Sequence, residues 1–134
     1  MTIGNLSIRF RHPTKDLDFF SACLELPCFR SWNVGSNRRT PTGETLEGRN
    51  SDSYWVSRVE YPIQTGFKKQ LEYIIGLLAK QKDTLSEHKA SGGKIEVYLQ
   101  LSGAINNGDE IDSALLKTMG ELGVDLLIEV FVEG

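Results

Sequence analysis

Leu6, Ile8 and Phe10 alternate with Ser7, Arg9 and Arg11. That is the period of a strand with one buried face. His12-Pro13 ends it, and Thr14 then offers a helix cap with Asp16 and Asp18 in the first turn, where the dipole favours acids. Leu17, Phe20 and Leu24 fall on one helical face, and Pro27 stops that helix near Leu26. Phe29 to Val34 predicts a second strand. Trp55, Ser57, Val59 and Tyr61, alternating with Val56, Arg58 and Glu60, predict a third, closed by Pro62. Between them Gly35 to Asp52 has loop composition, and a long hairpin is the simplest joining.

From about Gly66 the spacing turns helical, with Phe67, Leu71, Ile74, Ile75 and Leu78 as the apolar face. Lys82 to Ser91 predicts a second short helix or a frayed extension, stopped by Gly92-Gly93. Ile95, Val97, Leu99 and Leu101 give the clearest strand. Asn106-Asn107-Gly108 follows as loop, then a helix from about Asp109 to Leu122 with Gly123 as its cap. Leu126, Ile128, Val130 and Val132 form the last strand. The order β-α-β-β-α-β-α-β predicts an α+β fold, with a ferredoxin-like β-α-β-β-α-β core and an added C-terminal α-β unit. One polar and one apolar side per strand imply mostly antiparallel pairing with helices on one face. The final strand joins by a right-handed crossover. A first or last strand left at a sheet edge invites self-association, against which Glu129 and Glu133 would protect.

The 134 residues suit one domain, spanning 1–134. A chain of this size buries roughly two-thirds of its unfolded surface. The net charge of -3 argues against a chain-wide nucleic-acid footprint. The charge is uneven, however. From Leu101 onward, seven acids face only Lys117, giving -6, whereas the first hundred residues carry +3. An anion site therefore belongs to the front of the chain. No apolar run reaches the roughly 20 residues that span a bilayer, and the N-terminus lacks a signal-like apolar core. A cytoplasmic protein with Cys23 and Cys28 reduced, as small buried or half-buried side chains, is expected.

The stretch Cys28 to Tyr61 concentrates the unusual residues. It holds both tryptophans, Trp32 and Trp55, with Arg30, Arg38, Arg39, Arg49 and Arg58. Long loops in compact domains are commonly functional or disordered. The chain also resembles a mainly bacterial family, domain of unknown function 4279, along nearly its whole length. The resemblance rests on the alternating first strand, Leu24-Glu25-Leu26-Pro27, Trp32-Asn33-Val34-Gly35 with the basic loop after it, Tyr54-Trp55-Val56-Ser57, and Gly120-Glu121-Leu122-Gly123 leading into an acidic strand. Cys28 and Phe29 depart from it, standing where smaller or more polar turn residues are expected. It implies a small soluble α+β domain with no established activity and no catalytic residues to carry over.

Other patterns carry less. Gly43-Glu44-Thr45-Leu46-Glu47-Gly48-Arg49-Asn50 has the glycine spacing of a P-loop, but Arg-Asn replaces Lys-Ser/Thr and two glutamates would repel phosphate. Asn106 to Asp112 clusters carboxylates without an EF-hand layout, and acids balancing a helix dipole explain it better. His12 and His88 share no predicted face, so no metal site or cofactor is expected, and no hydrolase or kinase signature occurs. Glu44, Glu47 and Asp52 are expected to satisfy most of the loop arginines by surface pairing, and packing is weighed ahead of a ligand face for the tryptophans.

Three functional readings follow. The first is a non-enzymatic interaction domain binding a partner protein through the arginine-rich hairpin and nearby aromatics, with an immunity- or antitoxin-like role as one version. The second is a module for a small anionic or nucleotide-like ligand, held by Arg30, Trp32, Arg38, Arg39, Trp55 and Arg58. The third is an enzyme whose convergent titratable groups the sequence does not display.

Overall fold

The computed structural model describes residues 3–62, 65–102 and 108–131. A long first strand, β1 (Ile3–His12), is followed by a five-residue helix α1 (Phe20–Leu24) and a short strand β2 (Arg30–Trp32). A small hairpin β3 (Asn37–Arg39) and β4 (Thr45–Arg49) leads to the long β5 (Ser53–Pro62). Two helices, α2 (Lys68–Ala79) and α3 (Lys82–Ala90), precede β6 (Lys94–Ser102). The chain closes with α4 (Ser113–Leu122) and β7 (Val124–Phe131).

Five strands form one sheet in the order β2-β5-β1-β6-β7. β5 runs antiparallel to β1 and to β2, and β6 runs antiparallel to β1. β2 therefore points the same way as β1, with β5 between them. β7 adds to the edge parallel to β6, reached through α4. The fold is α+β with a mostly antiparallel sheet.

Register explains the two faces. Phe10 stands opposite Trp55 and Ile95, Ile8 opposite Ser57 and Val97, and Leu6 opposite Val59 and Leu99. These positions form the apolar face, and the helices pack on it. Leu17, Phe20 and Leu24 cover one end, and Leu71, Ile74, Ile75, Leu78, Leu85, Met119 and Leu122 the rest. Phe10 stacks on Phe20 with centroids 3.8 Å apart. The other face carries Ser7, Arg9 and Arg11 on β1, Tyr54, Val56 and Arg58 on β5, and Glu96, Tyr98 and Gln100 on β6. Among the described residues the helices pack on the apolar face and none lies over this one.

The first helix differs from expectation. Thr14 does not cap it; the Thr14 and Lys15 amides donate instead to His12 Nδ1 at 3.0 and 2.9 Å. That imidazole turns the chain at the end of β1, so the helix starts only at Phe20. It ends at Glu25 in the left-handed region (φ 54°), ahead of Pro27. The acidic segment before α4 behaves as dipole balance. Asp112 caps α4 by accepting from the Leu115 amide at 2.9 Å, and Asp109 accepts from the Lys68 amide at the start of α2 at 3.0 Å. Those amide bonds hold both carboxyls below the usual range; for Asp109 the largest contribution is the Glu110 amide. Asn106, Asn107, Val132 and Glu133 lie outside the described residues.

Candidate functional site

The stretch from Arg30 to Arg58 builds one side of the molecule. β2 pairs with β5, placing Arg30 opposite Val56 and Trp32 opposite Tyr54. The segment expected to be loop contains the β3–β4 hairpin, an arm whose strand residues are all exposed. Its strands are short, polar and interrupted by a bulge, so neither period nor hydrophobicity announces them. The P-loop-like run falls largely within β4, a strand, and makes no phosphate cradle.

The arginines of this arm hold backbone. Arg38 donates to the Glu47 carbonyl (3.3 Å), Arg39 to the Gly43 carbonyl (3.2 Å) and Thr45 Oγ1 (3.3 Å), and Arg49 to the Gly35 carbonyl (2.9 Å). Arg30 reaches from β2 to the Arg39 carbonyl at 3.0 Å, tying the arm to the sheet edge. The expected surface pairing does not form. Among the described residues Glu44 and Glu47 make no ion pair, and Asp52 pairs with Arg11 on β1 at 3.6 Å. The guanidinium groups donate instead to backbone carbonyls of the arm. A cleft of about 710 Å³ opens between β2 and the arm, lined by Arg30, Trp32, Arg38, Arg39 and Leu46 among others.

The two tryptophans do not share a surface. Adjacent positions on paired strands point to opposite sides of the sheet. Trp32 is half-buried on the open face and stacks on Tyr54, centroids 4.4 Å apart. Trp55 is fully buried among Phe10 and Phe20, with its indole N–H donating to Ser21 Oγ at 2.9 Å. Of the candidate residues, the structure brings Arg30, Trp32, Arg38 and Arg39 to the cleft and Arg30, Trp32 and Arg58 to the open face. Trp55 belongs to the core.

Four guanidinium groups lie over aromatic rings on or beside the open face. They are Arg9 over Tyr98 (4.1 Å), Arg11 over Tyr54 (4.6 Å), Arg30 over Trp32 (5.1 Å) and Arg58 over Phe29 (4.0 Å). Arg9, Arg11, Tyr54 and Tyr98 were not singled out by their residue types. The signal was their register: they alternate with the apolar positions and so must line the opposite face.

The two histidines, expected apart, meet in space. Their rings pack 5.5 Å apart between the end of β1 and α3. Both are buried. With Nδ1 taking two amides, His12 carries its proton on Nε2 and donates to Ser91 Oγ at 2.9 Å. His88 Nε2 donates to the Lys94 carbonyl at 3.0 Å. Burial pushes both imidazoles below their ordinary value. Both rings are hydrogen-bonded within the protein, and among the described residues no group of three or more His, Cys, Asp or Glu could hold a metal. Cys23 is half-buried, while Cys28, expected to be at least half-buried, is exposed because it follows the Pro27 corner; neither is paired. No helix of the described residues is long and apolar enough to cross a membrane.

The model of the family described as Domain of unknown function (DUF4279) matches residues 2–133. The chain belongs to that family. No curated protein and no solved structure matches it significantly.

Proposed function

We propose that this DUF4279 domain is a non-enzymatic interaction module that docks an acidic partner protein on its arginine-bearing side. One observation carries the reading. All seven arginines of the chain lie on β1, β2, the arm or β5, none on a helix, and among the described residues only Arg11 has a carboxylate within 4.0 Å. Arginine presents a planar fork of donors suited to carboxylates, and arginine with aromatic residues is the composition of protein interfaces. The cleft between β2 and the arm offers that composition together with the exposed Leu46. An immunity- or antitoxin-like role is the form of this reading in which the partner is a toxin. The free thiols support a reducing bacterial cytoplasm as its setting.

The same proposal takes β2-β5-β1-β6 as a ferredoxin-like core. Support comes from the alternating strand directions in that block, with the arm inserted between β2 and β5 and β7 appended to the edge.

The test is charge reversal. Arg38→Glu with Arg39→Glu is compared with wild type for the partner recovered from the source cell. Loss of the partner with the fold intact supports the reading. Recovery of every partner as before sinks it.

A second association is favoured by one observation. β7 is an edge strand, and Ile128 and Val130 are each 55% exposed on it. Edge strands with apolar exposure invite pairing with another copy. Sedimentation across a concentration series should then show a dimer that Ile128→Lys abolishes. A monomer at all concentrations would remove this association.

A further inference from the structure

In the order β2-β5-β1-β6-β7, β2 has a neighbour on one side only. Its free edge carries backbone groups whose direction can be worked out. The Phe29 amide donates to the Val56 carbonyl at 2.7 Å. Val56 therefore turns its backbone polar groups toward β2. Its neighbour Trp55 turns its own toward β1, because successive residues of a strand aim their N–H and C=O at opposite sides. Ser31 stands opposite Trp55. The Ser31 N–H and C=O thus point away from β5, out of the free edge. Among the described residues no other backbone group pairs with them.

The cleft beside the arm runs along that edge. Arg30 and Trp32 belong to the open face of the sheet, and Ser31 to the face of Trp55. All three line the cleft, with Asp18 and with no described residue of β5. Residues of both faces border one cavity only at the rim of the strand. The far wall is the arm, which supplies Arg38, Arg39 and the exposed Leu46. Arg30 reaches across to the Arg39 carbonyl and spans the two walls. Three arginines and a single carboxylate, Asp18, therefore border the cleft. A guanidinium has more N–H donors than the one or two that each of these spends on the arm's own acceptors.

The geometry points to strand addition: an extended, acidic segment of the partner protein lies in the cleft, pairs with the Ser31 backbone and extends the sheet past β2, with its carboxylates toward Arg30, Arg38 and Arg39. This rests on the docking reading and adds the shape of what docks. Backbone pairing supplies affinity at an exposed sheet edge, and the flanking side chains supply the preference. A helix spends its backbone groups within itself and offers none to Ser31; an extended segment offers them along its length. The same segment is not expected at the opposite edge, where β7 carries Asp125 and Glu129.

The test selects displayed random peptides on the wild-type protein, with counter-selection on Arg38→Glu with Arg39→Glu. A selected peptide is then synthesised and its binding followed by fluorescence anisotropy. The selected peptides are expected to be acidic. Ser31→Pro removes the outward N–H and leaves every arginine in place, and an edge strand tolerates proline there. With native circular dichroism, its affinity for the peptide is expected to fall at least about tenfold. A second measurement uses the unaltered protein and so holds if Ser31→Pro fails to fold. The peptide is N-methylated one amide at a time, and binding is expected to weaken at alternate positions, because only alternate amides of an added strand face β2. Unchanged affinity in folded Ser31→Pro, or losses with no alternation, overturns strand addition. So does a selection that enriches no peptide over the charge-reversed protein. A peptide lost on reversing Arg38 and Arg39 but indifferent to Ser31→Pro leaves acidic docking in place without the strand. A cell partner indifferent to that reversal removes the docking reading itself, so the two failures are distinguishable.

Discussion

Arg9 lies over Tyr98, its guanidinium carbon 4.1 Å from the ring centroid, while the Tyr98 hydroxyl donates to Glu129 at 2.6 Å. One side chain on β6 thus links β1 to the edge strand β7. Tyr98→Phe keeps the ring under Arg9 and removes the hydrogen bond to the carboxylate. The expected cost is about 1.5 kcal/mol, the low end for bonds to charged groups because Glu129 is exposed. Tyr98→Ala should cost more, since the ring is lost too. Urea denaturation of both variants checks the order.

The core indole makes a second prediction. Ser21→Ala leaves the buried Trp55 N–H without its acceptor. An unsatisfied buried donor costs about 1–3 kcal/mol, so the urea midpoint should fall accordingly. Fluorescence separates the tryptophans. In Trp32→Phe the remaining Trp55 should emit at short wavelength and resist acrylamide. In Trp55→Phe the remaining Trp32 should be quenched readily. Equal quenching of both would contradict their placement.

Much of this was legible in the sequence. Alternation along β1, β5 and β6 fixes which residues enter the core, and the register of long apolar strands leaves little freedom. The antiparallel pairing and the helices on one face follow from it. Less was legible where periodicity is absent. The β3–β4 arm has no buried face, so nothing in its hydrophobic pattern marks a strand. Thr14, Asp16 and Asp18 imitate a cap and so lengthen the expected helix, whereas the Thr14 and Lys15 amides donate to the His12 ring and the five-residue α1 has no side-chain cap. At the candidate site, residue type drew attention to both tryptophans equally. Strand parity separates them: Trp55 shares the parity of Tyr61, and Trp32 stands opposite Tyr54 on the other face.

Gly93 has no freedom to enlarge. A Cβ there would overlap the His88 ring, which is fixed by its bond to the Lys94 carbonyl. Gly93→Ala should destabilise by about 1–3 kcal/mol, the range for overpacked cores. A thermal melt unchanged from wild type would refute the contact.

The histidine pair sets a pH dependence. Burial is the largest cause lowering both imidazoles from 6.5; Lys15 acts in the same direction on both, and Lys89 on His88. Above about pH 6.5 both states are neutral at these sites, and the contribution to stability is complete. As pH falls below that value the unfolded chain takes up protons first, so stability declines. The urea midpoint should drop between about pH 6.5 and 5. His12→Asn retains an acceptor for the Thr14 and Lys15 amides and should reduce that slope. A midpoint that rises on acidification would reverse the sign.

The most direct measurement on the docking surface is the native mass of the protein purified gently from its own source, at low and at high salt. The predicted result is a complex whose mass is no multiple of the chain, containing an acidic protein that salt releases, because exposed charge pairs are screened within about 10 Å at 0.1 M and less at higher salt. A protein recovered only as the chain or its multiples, or one whose companion survives both high salt and reversal of Arg38 and Arg39, would contradict it.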